Sequence, residues 1–138
     1  MNLQPLIWVI DDDDISKYVL KRNLKEIGIT NIFEFPDSVE PLEVISKNRQ
    51  TGEILPDIIF LDLNMPVLNG FQFLDELNEF SSELKKNIHI FMLTSSMNDK
   101  DMIKAKSYPM VSEYFVKPLK YDHLVKAVAK VTEQHKEV

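Results

Sequence analysis

Four apolar runs in the sequence each end on a polar residue suited to handling phosphate or a metal ion. Leu6–Ile10 ends at Asp11 and Asp12, Ile58–Leu61 at Asp62, Ile88–Leu93 at Thr94, and Tyr114–Val116 at Lys117. In an open parallel α/β sheet, ligands bind outside the carboxyl ends of the strands, so polar groups recurring there in successive strands face one crevice. Three carboxylates in a partly dehydrated crevice repel strongly and call for a cation. Ligation by oxygens alone (carboxylates, a backbone carbonyl and retained waters) fits Mg²⁺, with Mn²⁺ able to substitute, and disfavours zinc where no Cys or His lies nearby in sequence. Asp11, Asp12, Asp62 and Lys117 carry a formal charge of −2 together, so one divalent ion neutralises the site and readies it for an anion. A phosphoryl group would then meet the hydroxyl of Thr94 and the ammonium of Lys117, which neutralise its equatorial oxygens. A carboxylate can also act as nucleophile and form an aspartyl phosphate. Asp62 is the natural choice, with the acid pair on one side and Thr94 and Lys117 on the other.

The elements that must position these groups alternate from end to end, short apolar strands with amphipathic helices, which favours a parallel sheet covered on both faces. Five strand–helix units are read. After the strand Leu6–Ile10, Asp13 caps a helix in which Ile15, Tyr18, Val19, Leu24 and Ile27 lie near one face and which Gly28 ends. Asn31–Phe35 is a more polar second strand, suited to an edge, and Asp37 or Ser38 caps a second helix with Pro41 tolerated in its first turn. Residues 48–56 form a somewhat long irregular connection, and Asp57–Leu61 is the third strand. A third helix covers Gly70 to about Phe80, followed by a polar link and the strand Ile88–Leu93. Asn98, with Asp101 three residues on, suits the start of a fourth helix that Pro109 breaks. Glu113–Val116 is the fifth strand, and Tyr121, Leu124, Val125 and Val128 give the stripe of a last helix. Fraying is expected from Thr132 onward. Trp8 is expected to pack between sheet and helices, and His89, His123 and His135 to be ordinary strand or surface residues.

At 138 residues, with 44% hydrophobic content, the chain fits one domain with a substantial core, about residues 5–132, and no output module is read beyond the last helix. The absence of cysteine excludes disulfides and thiolate metal sites. The start, Met1-Asn2-Leu3-Gln4-Pro5, lacks the features of a signal peptide, so a cytoplasmic protein is expected. Apolar runs reach about six residues, against roughly twenty needed to span a bilayer. A net charge of −6 and a pI near 5.0 argue against sequence-independent nucleic-acid binding.

The segments Val9-Ile10-Asp11-Asp12-Asp13, Ile59 through Gly70 with Asp62-Leu63-Asn64-Met65-Pro66 at its centre, Leu93-Thr94-Ser95 and Tyr114-Phe115-Val116-Lys117-Pro118 together resemble the four signatures of response-regulator receiver domains, in order and spacing and over nearly the whole chain. The resemblance implies a flavodoxin-like (βα)5 doubly wound parallel sheet, strand order 2-1-3-4-5, with helices on both faces. It implies that Asp62 accepts phosphate from a histidine kinase or histidine phosphotransfer protein. Asp12 and Asp62 would ligate Mg²⁺ directly, the Asn64 backbone carbonyl would be a third ligand, and Asp11 would act mainly through water. Thr94 and Lys117 would contact the phosphoryl oxygens, Thr94 would move on activation, and Tyr114, three residues before the lysine, would swing inward. Asn64 and Ser96, two residues beyond Asp62 and Thr94, hold the family's lifetime-tuning positions. Output would run through the face made by the fourth helix, fifth strand and fifth helix to a protein target, or phosphate would be relayed. The chain would be a switch with slow self-catalysed chemistry, not a metabolic enzyme.

Two other functions share parts of this pattern. A haloacid-dehalogenase-type phosphatase would use Asp11 as nucleophile in an Asp11-x-Asp13 pair, but Ser16 and Tyr18 match its following residues poorly and Asp62-Leu63-Asn64-Met65-Pro66 is left without a role. A flavin binder of the flavodoxin type would place its cofactor phosphate against four consecutive aspartates, which repel it. Lys106-Ser107-Tyr108-Pro109-Met110-Val111 departs from the small, glycine-containing link many receivers have before the fifth strand, and puts the geometry of the output face in question. Charged replacements of Ser96 are expected to change the lifetime of the phosphorylated form with little effect on Mg²⁺ affinity. Decay of label and Mg²⁺ titration across several such variants check this, and unchanged lifetimes would refute it.

Overall fold

The computed structural model describes residues 4–95 and 98–136. Strands β1 (Ile7–Ile10), β2 (Ile32–Phe35), β3 (Ile58–Asp62), β4 (His89–Thr94) and β5 (Val111–Val116) alternate with helices α1 (Asp14–Glu26), α2 (Val39–Lys47), α3 (Gly70–Phe80), α4 (Asp99–Lys106) and α5 (Tyr121–Lys136). The strands are parallel in the order β2-β1-β3-β4-β5, the expected doubly wound arrangement. The central strands β1 and β3 are buried along their whole length, as near-continuous apolar runs covered on both faces should be, and β2 is a partly exposed edge.

Side chains alternate between two cores. Trp8, Ile10, Ile59, Leu61, Ile90 and Met92 face α2, α3 and α4, whereas Ile7, Val9, Ile58, Phe60, Phe91 and Leu93 face α1 and α5. Trp8 is buried as expected, its ring 4.8 Å from that of Phe35. On α1 the sequence reading is corrected. Leu20 and Leu24 form the buried stripe, while Ile15, Tyr18 and Val19 are exposed. Val19 precedes Leu20 by one residue, which turns it about 100° off the packed face. Similarly, Tyr121 is exposed on α5, whose inner face is Leu124, Ala127, Val128 and Val131, and the helix continues past Thr132 to Lys136.

Helix starts follow local chemistry. Asp13 caps α1 by accepting from Ile15 N at 3.1 Å, and Asn69 and Gln72 form a reciprocal capping box on α3. At α2 the cap residue is Ser38, yet Asp37 supplies the side-chain acceptor, for Val39 N at 2.9 Å. Between β4 and β5 the register slips: Ile90 pairs with Val111 but Phe91 with Glu113, so Ser112 is an extra residue, its hydroxyl 3.0 Å from His89 Nδ1.

The loop from β3 to α3 is tightly constrained. Val67 has φ 71° within a three-residue turn closed by Leu68 N donating to Pro66 O at 2.8 Å, a costly conformation for a β-branched residue. Gly70 packs its Cα against the strand end, so that an added Cβ would lie 2.9 Å from Leu63 Cα and 3.0 Å from Asp62 O. Gly70→Ala is therefore expected to cost about 1–3 kcal/mol, as overpacking against atoms that cannot yield. Urea unfolding checks it, as a lower midpoint at unchanged slope.

Candidate functional site

The parallel register delivers the chemistry-bearing residues to one edge of the sheet. Ile10 is level with Leu61, and Asp62 with Leu93, so Asp11, Asp62 and Thr94 follow one another across β1, β3 and β4. Backbone bonds continue past the strand ends and fix the loops: Asp11 N donates to Phe35 O at 3.1 Å, Leu63 N to Leu93 O at 2.8 Å, and Lys117 N to Thr94 O at 2.7 Å. Lys117, which precedes Pro118 through a cis peptide bond, turns back over the crevice.

Carboxylate oxygens of Asp11, Asp12 and Asp62 all lie within 4.8 Å of one another. Asp11 is 1% exposed, Asp62 is 4% exposed, and Asp12 opens to solvent. The Lys117 ammonium is 2.8 Å from Asp11 Oδ2 and 3.7 Å from Asp62 Oδ1. Asp11 Oδ1 accepts from Asp13 N at 2.9 Å, so both oxygens of Asp11 are engaged. Burial, and then the neighbouring charge of Asp11, push the Asp62 carboxyl up to about 7, against the opposing pull of Lys117. A divalent cation would relieve this repulsion, and a donor set made only of oxygens, one of them on an open carboxylate, suits Mg²⁺ or Mn²⁺. Asp13, in contrast, is held below the usual carboxylate range, first by the hydroxyl of Ser16, as befits a helix cap outside the cluster.

Thr94 is fully buried at the end of β4. Asn64, exposed in the loop after β3, touches both sides of the crevice: its backbone N–H donates to Asp62 Oδ1 and its side-chain amide to Thr94 Oγ1, each at 3.3 Å. The sequence gives Asn64 a carbonyl and a tuning position but no signal for this amide contact, which joins residues 30 apart. Tyr114 packs against the core under α2, α3 and α4, with a buried hydroxyl that has no hydrogen-bond partner among the described residues. Its phenol is shifted upward by burial and then by Asp101, with Thr94 opposing. Ser96 lies outside the described residues.

The crevice and the fold that frames it define a receiver-type protein, and the comparisons with known proteins agree. The family model for the response regulator receiver domain matches residues 7–129, and the chain belongs to that family. It is 29% identical over 113 residues to the chemotaxis protein CheY1 of Helicobacter pylori, covering 81% of this chain and 84% of that one. It is 28% identical over 123 residues to the sensor histidine kinase CheAY of the same organism, covering 89% of this chain but 14% of the kinase. A two-component response regulator structure from Cytophaga hutchinsonii superposes with a TM-score of 0.81 at 26% identity, covering 92% of this chain and 96% of that one. The phosphatase alternative is not favoured, since its nucleophile would be Asp11, buried and bound on both oxygens.

The carboxyl of Asp62 gives a test of the site's electrostatics. With its folded value near 7 and its ordinary value 3.8, the contribution of Asp62 to stability is most favourable below about pH 4 and is lost as pH rises through 7. In metal-free buffer, Asp62→Asn is expected to stabilise the chain at pH 8 by at least about 1 kcal/mol more than at pH 4. Added Mg²⁺ should narrow the gap. Denaturant unfolding of both proteins across that range checks it, and a pH-independent difference would refute it.

Proposed function

We propose that the chain is a phosphoacceptor switch that takes a phosphoryl group on Asp62 from a phosphohistidine of a histidine kinase or phosphotransfer protein. The observation that carries this reading is the convergence of Asp11, Asp12 and Asp62 within 4.8 Å beside Lys117 and Thr94. In the transfer, a carboxylate oxygen of Asp62 attacks phosphorus, the bond from phosphorus to the donor nitrogen breaks, and the donor histidine leaves and recovers a proton. Hydrolysis returns Asp62 and inorganic phosphate. Mg²⁺, held by Asp12, Asp62 and the Asn64 carbonyl with Asp11 behind them, would supply charge neutralisation for the incoming group. Lys117 pairs with the phosphoryl oxygens and keeps Asp11 anchored, and the Thr94 hydroxyl donates to one of those oxygens.

Phosphorylation takes the Asp62 side chain from −1 to about −2 and adds strong acceptors, which favours whichever position of Thr94 and its loop satisfies them. Tyr114 lies next in line, its buried phenol influenced by Thr94 and by Asp101 of α4 in opposite directions. Exposed apolar side chains on the α4, β5 and α5 face, Ile103 at 70% together with Val116 and Tyr121, suit a protein target. A separate groove of about 350 Å³ beside Lys117, lined by Ile15, Val19, Leu119 and Leu124, suits the phosphate donor. No helix among the described residues is long and apolar enough to cross a membrane, which accords with a cytoplasmic switch, and the net negative charge accords with protein partners in preference to nucleic acid.

Incubation with acetyl phosphate and Mg²⁺, followed by peptide mass mapping, tests the assignment. Label is expected on Asp62, absent from Asp62→Asn, absent with EDTA, and at least about tenfold slower to accumulate in Lys117→Ala. Label on Asp11, or wild-type labelling of Asp62→Asn, would overturn it.

A further inference from the structure

Helix α4 is weakly anchored. It is eight residues long and Ala105 is its buried residue, so its own packing holds it loosely. Its position depends on what grips its ends. At its start the Asn98 side chain accepts from Lys100 N at 2.9 Å, a bond within the same turn. At its end the grip crosses to another helix. Tyr108, two residues beyond α4, donates to Asp75 Oδ1 at 2.5 Å. Its ring stacks on Phe71, with centroids 6.3 Å apart and 18° between planes, and the Lys104 ammonium lies 4.5 Å from the centroid of the same Phe71 ring.

These contacts form two interlocking pairs. Phe71 and Asp75 are one turn apart on α3, and Lys104 and Tyr108 have the same four-residue spacing across the end of α4. The Tyr108 backbone is fixed as well, its N–H donating to Ala105 O at 3.2 Å and its carbonyl accepting from Val111 N at 3.1 Å, directly before β5. Burial and the Asp75 partner push the Tyr108 hydroxyl up to about 12, so it stays a donor at physiological pH. The other end of α4 adjoins the loop after Thr94 and has no such attachment among the described hydrogen bonds and ring contacts.

We propose that Tyr108 is a positioning residue for the output face: with Asp75, Phe71 and Lys104 it clamps the C-terminal end of α4 to α3, and phosphorylation displaces α4 by swinging its N-terminal end about that fixed point. The swing rests on the proposed phosphoacceptor reading; the clamp itself does not.

Amide hydrogen exchange on the full chain tests both, for wild type, Tyr108→Phe, Asp75→Ala and the double variant, with and without Mg²⁺ and beryllofluoride as phosphoryl mimic. Without the mimic, amides of residues 102–107 are expected to exchange about tenfold faster in either single variant. The double variant should go no further, and amides of β1 and β3 should be unchanged, reporting an intact fold. With the mimic, wild type should change at residues 99–101 and not at 104–107, and Tyr108→Phe should change throughout. Wild-type exchange at 102–107 in the single variants, or additive acceleration in the double variant, would overturn the clamp, and uniform change along wild-type α4 would overturn the pivot. A wild-type protein indifferent to the mimic would count against the phosphoacceptor reading, while the mimic-free comparison still decides the clamp.

Discussion

Asp11 and Asp62 are buried side by side, with the Lys117 ammonium set against both at 2.8 and 3.7 Å. Two like charges taken out of water at close range are costly, and one lysine cannot satisfy both fully. The fold therefore holds an electrostatic conflict at the carboxyl edge of its sheet, and the upward shift of Asp62, from burial first and then the charge of Asp11, expresses it. A conflict of this kind persists only where the surrounding backbone leaves the carboxylates nowhere else to go. Any charge that enters the crevice, positive or negative, changes the balance there more than it could at an exposed site.

That backbone is the sheet. Each charged or hydroxylic residue sits at or just past the last paired residue of a strand, and bonds such as Leu63 N to Leu93 O and Lys117 N to Thr94 O carry the ladder one step into the loops. The strands behind are packed on both faces, so the site cannot relax by letting a strand slide. The rim is lightly held at Asn64, which is exposed, and at α4, where Ala105 is the buried residue. A rigid charged floor under a lightly held rim lets a local change in charge be felt at a surface.

The topology and the gathering of the candidate residues at one edge were legible because both are written in local patterns. Apolar runs that stop on Asp, Asp, Thr and Lys require no knowledge of the rest of the chain, and alternation of short strands with amphipathic helices selects a parallel doubly wound sheet. What escaped was non-local. Ile15, Tyr18 and Val19 are apolar yet exposed, because the face α1 buries is set by the sheet beneath it and not by composition. Asn64 with Thr94, and Tyr108 with Asp75, meet across 30 and 33 residues, and no spacing rule connects them. The tyrosine–proline pair before β5 stood out from the link many receivers have there, but nothing in its spacing pointed to Asp75.

The extra residue at Ser112 has a consequence for how this chain tolerates changes in length. Side chains alternate along a strand, and the bulge absorbs Ser112 opposite the step from Ile90 to Phe91, so the side chains beyond it stay in step with β4. With Ser112 present, Met92 pairs with Tyr114 and Leu93 with Phe115, which places the tyrosine among α3 and α4 and the phenylalanine against α5. Removing that one serine while keeping the pairing from Ile90 would leave Glu113 opposite Phe91, Tyr114 opposite Met92 and Phe115 opposite Leu93, with both aromatics on the faces they now occupy. The orientation of both aromatics is thus tied to their partners on β4, so the strand should tolerate loss of Ser112 far better than loss of a residue beyond the bulge, which would turn the side chains that follow it to the opposite face.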